Sequence, residues 1–238
     1  MTQDQEADGL RGRLVDAGVE LVDAEGAQAL SLREIARRAG VSHGAPRRYF
    51  PAHLDLLSAI AREGFADLAA GVAKAVEGEG GGTGDDHRAR LYALAEVYLD
   101  FALTRRGMYE LMFRHDLLES GRLGLRETSL PLFGLLTRLV ALALARPEAD
   151  ADVGPGAGVG PGAGRGRRAR GEAGPGSADG AVRAAQPSVV AGALWANLHG
   201  IAQLWGWGSL QLATGADAVA PLLRAAVDAH LGPAGRGR

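Results

Sequence analysis

The sequence predicts an all-α protein in which a small three-helix module leads into a larger helical bundle. Three observations predict it. Apolar residues recur at three- and four-residue spacing along most of the chain, and no segment sustains the alternation of a half-buried strand. Helix start and stop signals cluster within the first fifty residues. A tract rich in glycine and proline interrupts the second half, with helical patterns on either side of it.

The elements follow in order. Residues 1–8 are polar and read as a disordered tail, with no apolar segment suited to a secretory signal. Leu10, Leu14, Ala17, Leu21 and Val22 give an amphipathic helix over 10–23, ended by Glu25-Gly26. Ser31 with Glu34 three residues on is a capping-box pattern, opening a helix over 32–39. Ile35, Ala36 and Ala39 point inward on that helix, while Arg33, Arg37 and Arg38 point outward. Gly40 supplies a left-handed C-terminal cap, and Val41 returns to the core. Ser42 reads as the cap of the next helix, with Gly44 and Pro46 in or beside its first turn, where proline costs least. Pro51 breaks that helix after Phe50, and a longer one runs from about His53 to Val76.

Residues 77–86 read as a flexible break. Further helical patterns cover 87–104, 107–115 and 126–144. The tract at about 147–186 has almost nothing to bury and reads as a disordered insertion. Pro187 suits a first helical turn, and apolar periodicity then continues through Trp207. A last helix covers 217–231, and residues 232–238 fray. The domain boundaries expected are therefore 9–52 for the N-terminal module and 53–231 for the bundle.

Composition narrows the function classes. The chain has 238 residues, no cysteine and a formal net charge of −2. The missing thiols suit a reducing compartment, so a cytoplasmic location is expected. No run of about 18 apolar residues is evident, so no membrane partner is expected. No histidine has a glutamate three residues before it, as a bundle metal site would need. "GPGAGVGPGAG" has no preceding strand to make it a phosphate loop. No metal, cofactor or enzymatic activity is expected.

Charge is uneven along the chain. Between Ser31 and Phe50 there are five arginines and one acid, Glu34. Two short helices around a glycine turn, preceded by a third, match a helix-turn-helix whose second helix enters a major groove. Arg47 and Arg48 offer forked donors to base edges, and Ser31, Arg33 and His53 lie where phosphates would pass. Ser42, His43, Gly44, Ala45 and Tyr49 complete the candidate DNA-binding set. The bland alternatives are a solvated basic face, or a three-helix module for protein contact.

"LSLREIARRAGVSHGAPRRYFPAHLDLL", residues 30–57, closely resembles the DNA-binding segment of the TetR family of bacterial transcriptional regulators. Ser31, Arg33, Ile35, Ala36, Ala39, Gly40, Val41, Ser42, Gly44 and Phe50 fit its pattern. Arg47 stands where that family usually has tyrosine, Tyr49 where it has histidine, and His53 where it has lysine. "LWANLHG", residues 194–200, is similar to the W-x-x-x-H-G signature of one C-terminal subclass, and "MYELMFRHDLL" fits the same subclass. The resemblance implies double-stranded operator DNA, a small-molecule effector and a homodimer as partners, and most readily a repressor. A helical protein-interaction module and a helical-bundle enzyme with a vestigial DNA-binding module are the alternatives.

Trp195 and His199 share a helix face, either on an effector pocket wall or as packed core. Phe101, Tyr109, Met112 and Phe113 are the other pocket candidates. Leu194, Leu198, Ile201 and Trp205 form one apolar stripe, and Val219, Leu222 and Ala226 another. Two such stripes suggest a two-fold four-helix interface.

Overall fold

The computed structural model describes residues 3–77, 86–120, 124–145 and 186–232. The insertion expected at 147–186 lies outside the described residues except for Gln186, as does the tail beyond Gly232. Among the described residues there are eleven α-helices and no strand. They are α1 (Gln3–Glu25), α2 (Leu32–Arg38), α3 (Pro46–Tyr49), α4 (His53–Glu77), α5 (His87–Thr104) and α6 (Arg106–Met112). α7 (His115–Ser120), α8 (Leu125–Leu144), α9 (Pro187–Gly206), α10 (Ser209–Thr214) and α11 (Ala220–Leu231) follow.

α1 starts at Gln3, so most of the segment expected as a tail joins the first helix. α7 and α10 are short helices that periodicity did not separate from their neighbours. A six-residue helix is too short to show a repeat. Asp86, expected within a loose break, caps α5 by accepting the Ala89 N–H at 2.9 Å.

α1 packs on α4, with Gly18 against Ile60, and α2 and α3 pack on α1. The C-terminal half of α4 packs against α5, α6 and α8, and α9 and α11 close the bundle on α5. One buried apolar cluster runs through both parts. Leu14, Leu21, Ile35, Leu56 and Ile60 are fully buried in the first part, and Leu91, Met108, Leu111 and Val140 in the second. Burying each such side chain contributes about 1.5–3 kcal/mol.

The two parts join where α1, α4 and α6 meet, and a glycine stands at each contact. A methyl group on Gly18 of α1 would lie 2.3 Å from Ile60 Cδ1 of α4. On Gly64 of α4 it would lie 2.7 Å from the sulfur atoms of Met108 and Met112 of α6. On Gly107 of α6 it would lie 2.3 Å from the Val22 carbonyl oxygen of α1. Arg105, at the α5–α6 corner, reinforces the junction. Its Nη2 donates to Asp23 of α1 at 2.7 Å and its Nη1 to Asp67 of α4 at 2.7 Å. The guanidinium also sits 5.2 Å above the Phe101 ring.

α8 corrects one expectation. Among the described residues it is the one helix long and apolar enough to cross a membrane by length and composition. It is nevertheless a bundle helix, packed on α5 and α9 through Leu136, Leu139 and Val140 and carrying Arg126, Glu127 and Arg138. Pro131 lies within it, at a position where α8 forgoes one backbone hydrogen bond.

The glycine contacts predict a graded response. Gly107→Ala pushes a methyl group into backbone and is expected to cost about 1–3 kcal/mol. Gly192→Ala in α9 has nothing within 4 Å of the new methyl and is expected to be neutral or slightly stabilising. Urea unfolding of the two variants beside the parent measures both.

Candidate nucleic-acid interface and ligand cavity

α2 begins at Ser31, whose Oγ accepts the Glu34 N–H at 3.2 Å. The capping box is only half made, because the Glu34 carboxylate turns to Arg37 Nε at 2.9 Å and Arg38 Nε at 3.2 Å. The hydrogen bond from Arg37 is the main reason its carboxyl is held well below the usual 4.5, at about 2. Arg38 also pairs with Glu25 of α1. α2 ends in a Schellman motif, with the Gly40 N–H donated to Arg37 O and the Val41 N–H to Ala36 O. Gly40 takes φ 68°, which a side chain would resist.

The next helix is shorter than expected, and its cap is different. Ser42 does not cap it. The Ala45 N–H donates to Ser42 O at 3.0 Å, making a turn over 42–45, and Ala45 itself occupies the cap position. Pro46 is then the first helical residue, where its missing N–H costs nothing. The single turn of α3 closes when the Phe50 N–H donates to Pro46 O at 2.8 Å. Pro46 and Phe50 are buried, and the Arg11 guanidinium of α1 sits 5.5 Å above the Phe50 ring. Between those anchors, Arg47 and Arg48 are exposed and Tyr49 is half-buried.

The five arginines thus divide into two groups. Arg37 and Arg38 are engaged by Glu34 and Glu25. Arg33, Arg47 and Arg48 are exposed and have no ion pair among the described residues. Ser31, Ser42, His43, Gly44 and His53 are exposed as well, and Ala45 is half-buried. α4 starts with the Asp55 carboxylate accepting the Ala52 N–H at 2.9 Å, a tie that the sequence reading missed. Burial, and then the nearby Arg114 charge, lower the His53 pKa. The surface from 42 to 53 therefore presents two free guanidiniums, two imidazoles and unobstructed backbone at Gly44.

A cavity of about 500 Å³ lies in the bundle between α4, α5, α8 and α9. Phe65, Leu68 and Val72 of α4 form one wall, and Phe133 and Leu136 of α8 face them. Tyr98 of α5, Phe113 and Trp195 of α9 supply further rings, and Gly192 opens space beside Trp195. The rings pack edge-on or tilted, with Phe113 6.1 Å and Phe133 6.4 Å from Trp195.

Of the expected pocket residues, Phe113 and Trp195 line the cavity. Tyr109 and His199 stand directly behind it. Phe101 and Met112 do not reach it. Phe101 is covered by Arg105, and Met112 is buried against Gly64. Sequence reasoning missed the α4 and α8 walls because cavity-facing apolar residues have the same periodicity as core residues.

Behind Tyr98 runs a short polar relay. Trp195 Nε1 donates to Tyr98 Oη at 3.2 Å, Tyr98 and Tyr109 share a 3.0 Å contact, and His199 Nδ1 lies 2.6 Å from Tyr109 Oη and 3.1 Å from Tyr98 Oη. One assignment pairs every group: Tyr98 donates to Tyr109, Tyr109 donates to His199, and Nδ1 accepts. That assignment requires a neutral imidazole, consistent with burial lowering the His199 pKa. Burial likewise pushes the Tyr98 hydroxyl up to about 12, and raises Tyr109 further.

Three residues of the expected dimer seam are core. Leu194 and Leu198 are 1% exposed, and Ala226 is buried too, so they serve their own subunit's core. Ile201, Trp205, Val219 and Leu222 are half-buried. α9 is apolar on two faces, and spacing alone could not say which turns inward. The outer face of α9 carries Val189, Ala193, Leu204 and Trp207, with Val189 62% and Trp207 64% exposed. Leu130 and Leu142 extend an apolar exterior along α8.

The relay gives a pH dependence. The folded pKa of His199 is depressed, so its contribution is full above the unfolded value near 6.5 and is lost as pH falls through that value toward the folded one. His53 shifts in the same direction. The denaturation midpoint is expected to drop as pH falls below about 6.5, and His199→Gln should flatten that drop relative to the parent.

Comparison with known proteins agrees with this geometry. Residues 14–60 match the profile of bacterial regulatory proteins of the tetR family, and residues 91–230 match the tetracyclin repressor-like C-terminal domain. The chain is 34% identical over 106 residues to the HTH-type transcriptional activator FasR of Mycolicibacterium smegmatis. That match covers 44% of this chain and 46% of the relative, so it spans about half the relative's length. A protein of unknown function from Rhodococcus sp. RHA1 has a similar structure, with a TM-score of 0.64 and 29% identity over 93% of each chain. A TetR-like transcriptional regulator from the same organism has a TM-score of 0.56 and 17% identity over 94% of this chain and 97% of its own, a likeness of fold alone. With both an N-terminal and a C-terminal profile matched, the second over more than half its length, the chain belongs to the TetR family of bacterial transcriptional regulators.

Proposed function

We propose that the protein is a homodimeric regulator that holds operator DNA through residues 42–53 and releases it when a small molecule enters the bundle cavity. The observation that carries this reading is the division of the arginines. Two are used up inside the protein, and Arg33, Arg47 and Arg48 remain for an outside anion. Arg47 and Arg48 take base edges, and Ser31, Arg33, Ser42 and His53 take phosphates. Gly44 and His43 let the backbone approach closely.

The apolar exteriors of α8 and α9 support the dimer, since exposed apolar surface on that scale is costly for a monomer. Two copies joined there would read half-sites about 34–36 Å apart, or a multiple of that spacing. The Trp195-to-Gly200 motif is, on this reading, the signature of a subclass that builds its effector wall from α9. The ligand acts by binding more tightly to a conformation whose recognition elements are wrongly spaced. Repression is the simplest output. Activation is the second reading, favoured by the curated relative, which is named an activator.

Selection of bound sequences from random duplex DNA is expected to return a palindrome, and an asymmetric or absent consensus would sink the dimeric DNA-binding reading. Arg48→Ala is expected to weaken operator binding by about tenfold or more while leaving the dimer intact, measured by gel shift and light scattering. Trp195→Ala is expected to shift the effector dose–response more than the operator affinity.

A further inference from the structure

The cavity's hydrogen-bond donors are committed. Among the described residues its lining holds three polar side-chain groups, and the donor of each is already used within the protein. Ser129 Oγ donates to Arg126 O at 3.1 Å. Trp195 Nε1 donates to Tyr98 Oη, and the Tyr98 hydroxyl is tied to Tyr109, which in turn meets His199. Among the described residues no carboxylate, ammonium or guanidinium lines it. A charged ligand would therefore lose its water with no counter-charge to replace it, and a ligand rich in hydrogen-bonding groups would leave them unpaired.

We infer that the molecule accepted here is uncharged and predominantly apolar, and that the pocket selects it by refusing charge rather than by reading a polar pattern. This rests on the proposal that the cavity is the effector site and narrows its ligand class. The volume, about 500 Å³, lies within the range of small-molecule sites. The relay has a positioning role. By keeping Tyr98, Trp195 and His199 satisfied among themselves, it withholds donors that would otherwise favour carboxylates.

The test uses the full-length protein and two carbon skeletons, each in three versions. 2-Naphthalenemethanol is compared with 2-naphthoate and 2-naphthylmethylammonium, and 1-decanol with decanoate and decylammonium, at neutral pH by calorimetric titration. At least one alcohol is expected to bind about tenfold or more tightly than both its charged twins. Gly192→Phe, which fills the cavity at a position with open space beside it, is expected to fold and to lose that binding. A thermal melt verifies its folding, and Leu136→Trp from the opposite wall is the second variant.

Equal or tighter binding of a charged twin would overturn the inference, as would failure of both alcohols or binding that survives in both cavity-filling variants. Adding operator DNA separates the two levels. An alcohol that binds in the cavity but leaves the operator complex intact upholds the ligand class and rejects the effector reading. A charged twin that releases operator through the same Gly192-sensitive site does the reverse.

Discussion

Everything in this molecule hangs on the burial of one face of α4. The helix has 25 residues, so it is about 37 Å long. Leu56, Leu57 and Ile60 near its start are buried where α1 packs on it, and Phe65, Leu68 and Val72 further along are a wall of the cavity. One close-packed cluster thus spans both parts, and α4 is common to them. The glycine contacts at Gly18, Gly64 and Gly107 keep the approach of α1, α4 and α6 tight. Arg105 adds a charged strut at the same junction, joining α1 and α4 to the corner between α5 and α6.

Electrostatics is managed locally. The chain is nearly neutral, and its sequence cannot tell which arginines are free. Folding separates them by placing Glu25 and Glu34 where they capture Arg37 and Arg38. Those pairs are largely exposed and contribute little to stability. Their larger effect is on the surface, where they remove two cations from the count available to an anionic partner. The cavity shows the opposite treatment, with no charged side chain among its described lining residues and its two hydroxyls turned to internal partners.

The helix-turn-helix was legible because its signals are local. Ser31 as a cap, Gly40 in the left-handed region and Val41 in the core depend only on neighbours a few residues away. The start of α3 was misread for a related reason. A serine is a good cap, but with Pro46 able to start a helix unaided, the chain spends residues 42–45 on a turn. The cavity was half legible. Phe113 and Trp195 announced themselves as aromatics, whereas Phe65, Phe133 and Leu136 differ from core residues only by what lies opposite them. Leu194 and Leu198 were not legible as core because α9 is apolar on two faces, and only packing decides that they turn inward.

The one-turn length of α3 has a consequence for how such a protein changes partners. Its geometry is set from both ends, by buried Pro46 and by buried Phe50 beneath Arg11, while Arg47 and Arg48 between them touch nothing that holds the fold. A substitution at either arginine alters the charge this surface offers without altering how the surface is held. The two positions behave like exchangeable type in a fixed frame, so the charge of the exposed turn can be rewritten by single replacements that leave the remainder of the molecule, cavity included, as it was.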